Sequence, residues 1–383
     1  MSVYDVGIIG LGAMGSAAAY HCARRGALVI GFDRFAPPHA LGSSHGESRI
    51  IREAYFENPR YVPLVQRAYR LWHELEARTG QTLLRETGGL MIGPADGVLV
   101  RGARESAEIH GLPYRMLDAR EIRARFPSLA PRDDMVGVWE PRAGVLFPER
   151  CVRAHLEEAR ASGVELRMDE PVSRWSATDG GFTIETPRGH ERARRLVLAT
   201  NAWLERLLPG VTLPLTVARQ PLFWFEPAAH AERLAELPIH LWEPEPDRFF
   251  YGFPAIDGRI KVATHGLGVT TDPDTVDRTV RDDEVEAMRA RLATYLPDAN
   301  GRFDRAAVCL YANTPDGHFV IDRHPDHADV LVLSGVLGPR LQVLTGDRRF
   351  GGGPAAGRRY GLRPRTLPSR ALRVKRPRER AAG

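Results

Sequence analysis

Between Tyr4 and Arg34 the chain reads Tyr-Asp-Val-Gly-Ile-Ile-Gly-Leu-Gly-Ala-Met-Gly, then a run of small residues, then Ala-Leu-Val-Ile-Gly-Phe-Asp. Val6, Ile8 and Ile9 predict a short buried strand. Gly10, Gly12 and Gly15 form Gly-x-Gly-x-x-Gly, Ala17 to Arg25 suits a helix that Gly26 stops, and a second apolar strand ends in Asp33. The first glycine permits a tight turn. The second lets backbone approach a pyrophosphate, and the third lets helix and strand pack closely. The helix N-terminus presents partial positive charge to the phosphates. Asp33 follows the glycines by about 20 residues, the spacing at which a carboxylate accepts from a ribose hydroxyl. Together these parts specify a dinucleotide site. They do not choose between FAD and NAD, and the acid at Asp33 disfavours a 2′-phosphate.

A chain of 383 residues, 43% of them hydrophobic, has room for two domains or one large one. No stretch has the apolar length of a membrane span, and the chain opens directly on the first strand, so a cytoplasmic location is expected. Cys22, Cys151 and Cys309 are too few and too scattered for a disulfide framework, and no spacing suggests a metal site. The net charge of +5 is unevenly placed: residues 336–383 hold 13 Lys+Arg against 2 Asp+Glu, so the preceding 335 residues carry −6.

After Asp33 comes a loop rich in Pro, Gly, Ser and His that runs to Arg49, too polar for core and too particular for a linker. A short helix is expected from Ser48, which would place Arg49 and Arg52 on one face. Tyr61 to Ala77, Arg150 to Ala161 and Asp282 to Tyr295 have helical character. Arg195 to Trp203 predicts a buried strand ending in small polar residues, as fitting beside a cofactor as in a plain turn. Leu213 to Phe225 and Arg248 to Thr264 are strand-rich, and Arg305 to Tyr311 predicts another strand. β-rich sequence flanked by α/β sequence suits a dinucleotide domain interrupted by a second domain.

Several stretches resemble the monomeric sarcosine oxidase and N-methyltryptophan oxidase family of FAD-dependent amine oxidases. They are Pro37-Pro-His39, Gly42-Ser-Ser-His-Gly-Glu-Ser-Arg-Ile-Ile-Arg52, Tyr55, Tyr61-Val-Pro-Leu64, Gly144-Val-Leu-Phe147, Tyr251-Gly-Phe-Pro254, Asp272-Pro-Asp-Thr275, Ala307-Val-Cys309 and Asn313-Thr-Pro-Asp-Gly-His-Phe-Val-Ile-Asp322. The resemblance runs from Tyr4 to Gly335. It implies an α/β plus α+β chain: a Rossmann-type FAD-binding domain of residues 1–85, 145–212 and 316–335, with an inserted antiparallel-sheet substrate domain of residues 86–144 and 213–315. It also implies oxidation of a secondary amino acid to an imine, with O2 reduced to hydrogen peroxide, by a monomer that needs no membrane, nucleic acid or metal.

The same resemblance distributes roles. Cys309, by its neighbours a small buried hydrophobe, would be bonded covalently to the flavin. A thiolate makes such a bond and wants a cationic setting, which Arg49 or His45 could supply. Lys261 would sit over the flavin and activate O2 by offsetting the charge that develops on it. His265, four residues on and on the same strand face, and Tyr251 would line the substrate cavity. Arg52 would take the substrate carboxylate with its guanidinium fork, and Ser43 and Ser48 would lie along the cofactor. Ser48 stands where threonine is commoner and keeps the hydroxyl.

From Val336 the chain departs from the family. A glycine-rich Gly-His-Gly-x-Lys-Phe segment is expected there, its lysine opposite Arg52, and a helix after it. The chain has instead Gly- and Arg-rich sequence without helical period. Read one base out of frame, codons allowed for Val336 to Arg349 spell Cys-Ser-Gly-His-Gly-Phe-Lys-Phe-Ser-Pro-Val-Ile-Gly. A frameshift, or a sequencing error imitating one, is therefore expected to begin near Val336; for the chain as written, a poorly ordered basic tail over residues 336–383, weak FAD retention and little or no turnover are expected. Three readings stay open: FAD-dependent amine oxidase, NAD-dependent dehydrogenase sharing only the first unit, and an inactive flavoprotein or a fold whose tail binds nucleic acid.

Overall fold

The computed structural model describes residues 3–208, 210–266, 268–334 and 373–374. Residues 336–372 and 375–383, with the expectation placed on the tail, lie outside the described residues. Arg373–Val374 pairs antiparallel with Val211–Thr212.

One sheet carries the dinucleotide fingerprint. Its parallel core runs Glu165–Arg167, Val29–Phe32, Val3–Ile9, Gly189–Leu198 and Val330–Ser334, each strand bonded to the next. Antiparallel strands Gly181–Thr186 and Arg174–Thr178 extend it, and Val320–Arg323 pairs with Val330–Ser334. A parallel core buried on both faces needs apolar strands, and Val29–Phe32 is buried at every position. The first helix, Ala13–Ala23, starts earlier than its apolar run suggests. Its small residues are buried almost all round, which lets it lie against the sheet and the helix Pro148–Ala161.

Among the described residues the second sheet has nine strands and is almost wholly antiparallel. Its axis is Thr216–Phe225, bonded along its length to Phe303–Asn313 and on the other side to Ile260–His265. That order places Cys309 opposite Gln220 and Lys261 opposite Trp224, so residues 48 positions apart in number come to flank one strand. Arg248–Gly252 continues the sheet and sets Tyr251 beside Ala263.

Arg49–Ile51 is a strand and not the expected helix turn. It pairs antiparallel with Gly144–Leu146, which also pairs with Leu84–Glu86. Ile50 and Ile51 are β-branched and buried, and a sheet partner outweighs the weak signal of two arginines three apart. Arg49 and Arg52 therefore do not share a helix face.

Candidate active site and cofactor cavity

The fingerprint turn opens onto a cavity of about 300 Å3 lined by Gly10, Gly12, Asp33, Ser44, Val172 and Thr200 among others. Gly10 has φ +92°, and a Cβ there would stand 2.7 Å from the Ala199 carbonyl oxygen. At Gly15 a Cβ would stand 1.7 Å from the Gly10 oxygen. No side chain fits either place, so the helix start is held open to backbone approach. Gly12 precedes the first helical residue, and Ala13 N donates to Ser44 Oγ at 3.1 Å.

Asp33 closes the far end. Its carboxylate accepts from Leu11 N at 2.7 Å and from Phe35 N at 2.9 Å, which ties the glycine turn to the end of the second strand. Burial pushes its pKa up to about 6, against those two bonds. Each oxygen keeps a lone pair for a hydroxyl donor. Thr200 Oγ1 and His45 Nε2 are buried without a hydrogen-bond partner, an arrangement that costs free energy unless a further group satisfies it. A glycine cradle, a carboxylate and the unpaired Thr200 hydroxyl along one cavity fit FAD.

The other end of the site is built where the loop Gly42–Ser48 meets the antiparallel sheet. Arg49 Nη2 lies 3.4 Å from Cys309 Sγ and 2.9 Å from the Ser43 carbonyl, and Nη1 donates to the Ser48 carbonyl at 2.8 Å. Cys309 is fully buried. Lys261 Nζ donates to the Gly46 carbonyl at 2.5 Å and the Ser48 carbonyl at 2.7 Å, over the rings of Phe253 and Trp224. Burial, with Arg49 nearby, holds its pKa well below the ordinary lysine value. Glu149 accepts from Gly46 N at 2.7 Å and Glu47 N at 3.0 Å, so this turn is gripped by its carbonyls from one side and its amides from the other.

His45 does not supply charge. Burial, with Arg49 and Lys261 close by, pushes its pKa down to about 3 and keeps the ring neutral. The cation beside Cys309 is Arg49 alone of the two expected. Ser43 spends its hydroxyl within the protein, donating to the Leu310 carbonyl and accepting from Asn201 Nδ2 at 2.7 Å. Ser48 is buried, and its carbonyl serves both Arg49 and Lys261.

Arg52 is buried, its guanidinium 4.6 Å from the Tyr55 ring and 4.9 Å from the Phe56 ring, and it donates to Glu57 Oε2 at 2.5 Å. His265 stands with Tyr251 and Tyr311 at ring separations of 6.3 and 6.1 Å. Burial and the charge of Arg52 push its pKa down to about 4. Tyr251 is buried, which raises its pKa, while Arg49 pulls the other way. Arg49, Arg52, Lys261, Tyr251, His265 and Cys309 thus form one connected constellation. Sequence reasoning left out Glu57, Glu149, Ser44 and Thr200. Each is a common polar residue in a loop or in the first turn of a helix, where nothing local separates a site residue from a solvated one.

A Rossmann-type cavity whose rim loop, Gly42–Ser48, also packs on a buried, cation-bearing antiparallel sheet suits a flavin-dependent oxidoreductase. Residues 5–359 match the model of the FAD dependent oxidoreductase (DAO) family. The monomeric sarcosine oxidase of Streptomyces avermitilis is 46% identical over 336 residues, 86% of this chain and 88% of that protein. The N-methyl-L-tryptophan oxidase of Salmonella arizonae is 35% identical over 338 residues, 88% of this chain and 90% of that protein. Among solved structures the glycine oxidase of Geobacillus kaustophilus superposes with a TM-score of 0.76 at 21% identity, over 90% of this chain and 92% of that one. NikD, an unusual amino acid oxidase essential for nikkomycin biosynthesis, gives a TM-score of 0.79 at 23% identity, over 90% and 92%. This chain belongs to the FAD dependent oxidoreductase (DAO) family, among relatives named monomeric sarcosine oxidase and N-methyl-L-tryptophan oxidase. Among the described residues no helix is long and apolar enough to cross a membrane.

Proposed function

We propose that this chain, as a cytoplasmic monomer, oxidises the N–C bond of a secondary amino acid, N-methyl or cyclic, to an imine, with O2 reduced to hydrogen peroxide. The observation that carries this reading is the burial of Arg52 beside a neutral His265 on the sheet that also carries Lys261. A carboxylate receptor then lies close to an uncharged ring and a separate buried cation. FAD, when bound, would supply the electron acceptor. Gly10, Gly12, Gly15 and Asp33 would hold it, with residues 1–85, 145–212 and 316–335 as its domain, and Cys309 beside Arg49 would attach it.

Arg52 binds the substrate carboxylate through its fork. Glu57 holds that guanidinium in the chain as described, so the substrate carboxylate takes the place of an internal one. Tyr251 and His265 bound the space around the substrate nitrogen. The neutral imidazole adds no positive charge that would oppose electron loss there. Lys261 spends two N–H donors on carbonyls and, in its protonated form, keeps a third for O2, where its charge offsets the negative charge that develops.

The test is anaerobic mixing of the yellow protein with sarcosine, N-methyltryptophan, pipecolate and related amino acids, followed by flavin bleaching and, in air, peroxide release. One or more of these is expected to bleach the flavin that the chain retains, over few turnovers because the chain departs from the family after Val336. Retained flavin that none of the panel bleaches overturns the reading.

A further inference from the structure

Glu140 ends the strand Met135–Glu140 and is 2% exposed. It takes no part in the chemistry described above, and burying an ionised carboxylate costs several kcal/mol unless its lone pairs are satisfied (about that order,). Here they are met by two consecutive amides. Oε1 accepts from Glu53 N at 2.5 Å and Oε2 from Ala54 N at 3.0 Å. These are the first two peptide groups after Arg52.

The same short segment is pinned at two further points. Ser106 Oγ donates to the Tyr55 carbonyl at 2.6 Å. Gly102 lies so near that a Cβ there would come within 2.2 Å of the Phe56 carbonyl oxygen. Ser106 and Gly102 belong to the helix Val98–His110. The backbone that follows Arg52 is therefore fixed from a strand and a helix outside its own small sheet. Tyr55 and Phe56, whose rings lie against the Arg52 guanidinium, are carried on that backbone.

We infer that Glu140 is a positioning residue for substrate recognition: by clamping the amides of Glu53 and Ala54 it sets the direction of Arg52 and of the two rings that confine it. The inference rests on the reading of Arg52 as the carboxylate receptor. A bidentate acceptor fixes two peptide planes at once, which a single hydrogen bond does not. Removing it leaves two buried N–H groups unmet and lets the segment turn to find water. The guanidinium then meets a substrate carboxylate with the wrong angle for two parallel bonds.

Glu140→Gln tests this in the FAD-loaded enzyme, since an amide can accept at one oxygen only and sets its NH2 against the other N–H. Steady-state kinetics are measured with an N-methyl amino acid and with the corresponding N-methyl amine that lacks the carboxylate. Acetate binding is read from the flavin absorbance. KM for the amino acid and Kd for acetate are expected to rise about tenfold, with kcat within about twofold and the carboxylate-free amine unaffected. Unchanged KM and Kd, or an equal loss for both substrates, overturns the inference. Should Glu140→Gln fail to fold, Ser106→Ala, which frees the same segment at the Tyr55 carbonyl, is expected to show the same split at smaller size, and no split overturns it. Arg52→Met is the control. If it leaves acetate binding unchanged, the reading of Arg52 falls and the inference with it. If it weakens acetate binding while Glu140→Gln does not, the inference alone falls.

Discussion

Arg49 and Cys309 are 260 positions apart in the chain, and the guanidinium Nη2 lies 3.4 Å from the sulfur in a fully buried contact. The same guanidinium donates to the Ser43 and Ser48 carbonyls, so the loop, the strand and the charge are fixed as one unit. A cation held against a sulfur is the setting that thiol attack needs. Acid-precipitated protein is expected to stay yellow, Cys309→Ala to release its flavin, and Arg49→Met to bind FAD while forming the bond far more slowly. Flavin that washes completely from denatured wild-type protein would refute the attachment.

Lys261 sits over Phe253 and Trp224 with two carbonyl partners. Lys261→Met keeps most of the length and removes the charge. Reoxidation of the reduced protein by O2 is expected to slow by about 10²–10³, the usual size for loss of one preorganised electrostatic contact. Anaerobic reduction by substrate should change far less. Stopped-flow traces of the two half-reactions separate the effects, and equal oxygen rates would remove Lys261 from the mechanism.

Gly15→Ala puts a methyl 1.7 Å from the Gly10 carbonyl oxygen, which is backbone and cannot step aside. The helix Ala13–Ala23 must then move away from the first strand, closing the approach to the phosphates. The variant is expected to be isolated with little or no FAD. Full flavin content after dialysis would show that the turn has slack.

Acid should destabilise the chain. Burial pushes the pKa of His21 to about 4, His45 to about 3, His240 to about 3 and His265 to about 4, and that of His155 well below its ordinary value. The unfolded chain binds these protons near pH 6.5 and the folded chain does not, so stability is full above that pH and falls as pH drops toward 4. Each contributes a slope of up to about 1.4 kcal/mol per pH unit. Asp33 and Glu140, with pKa values raised by burial to about 6 and about 7, act in the opposite direction over the same window. His39 and His324 are also lowered by burial and Glu53 also raised, and seven histidines against three carboxylates among the described residues leave a net loss. Thermal scans from pH 7.5 to pH 4.5 are expected to show Tm falling, and a constant Tm would contradict the sign.

What could be read early was local. The glycine spacing, the apolar strand before it and Asp33 after it depend on residues within one βαβ unit, whose geometry follows from backbone sterics and period. The helices Pro148–Ala161 and Asp282–Tyr295 were legible for the same reason. The stretch around Arg49 was misread because its two arginines fit a helix turn, while its conformation is set by hydrogen bonds to Gly144–Leu146, which no local pattern contains.

The sequence by itself determined the glycine fingerprint and the Asp33 that follows it, which are expected to hold the dinucleotide, and which residue types were present for amine oxidation. The tertiary structure decided which of them act together. It put Arg49 rather than His45 in charge of Cys309, gave the Gly46–Ser48 carbonyls to Lys261, set Glu57 on Arg52, and placed Glu140 behind Arg52. The reason is physical. A side chain's charge state and direction depend on desolvation and on partners brought by sheet pairing from distant parts of the chain, and neither is encoded in spacing along it.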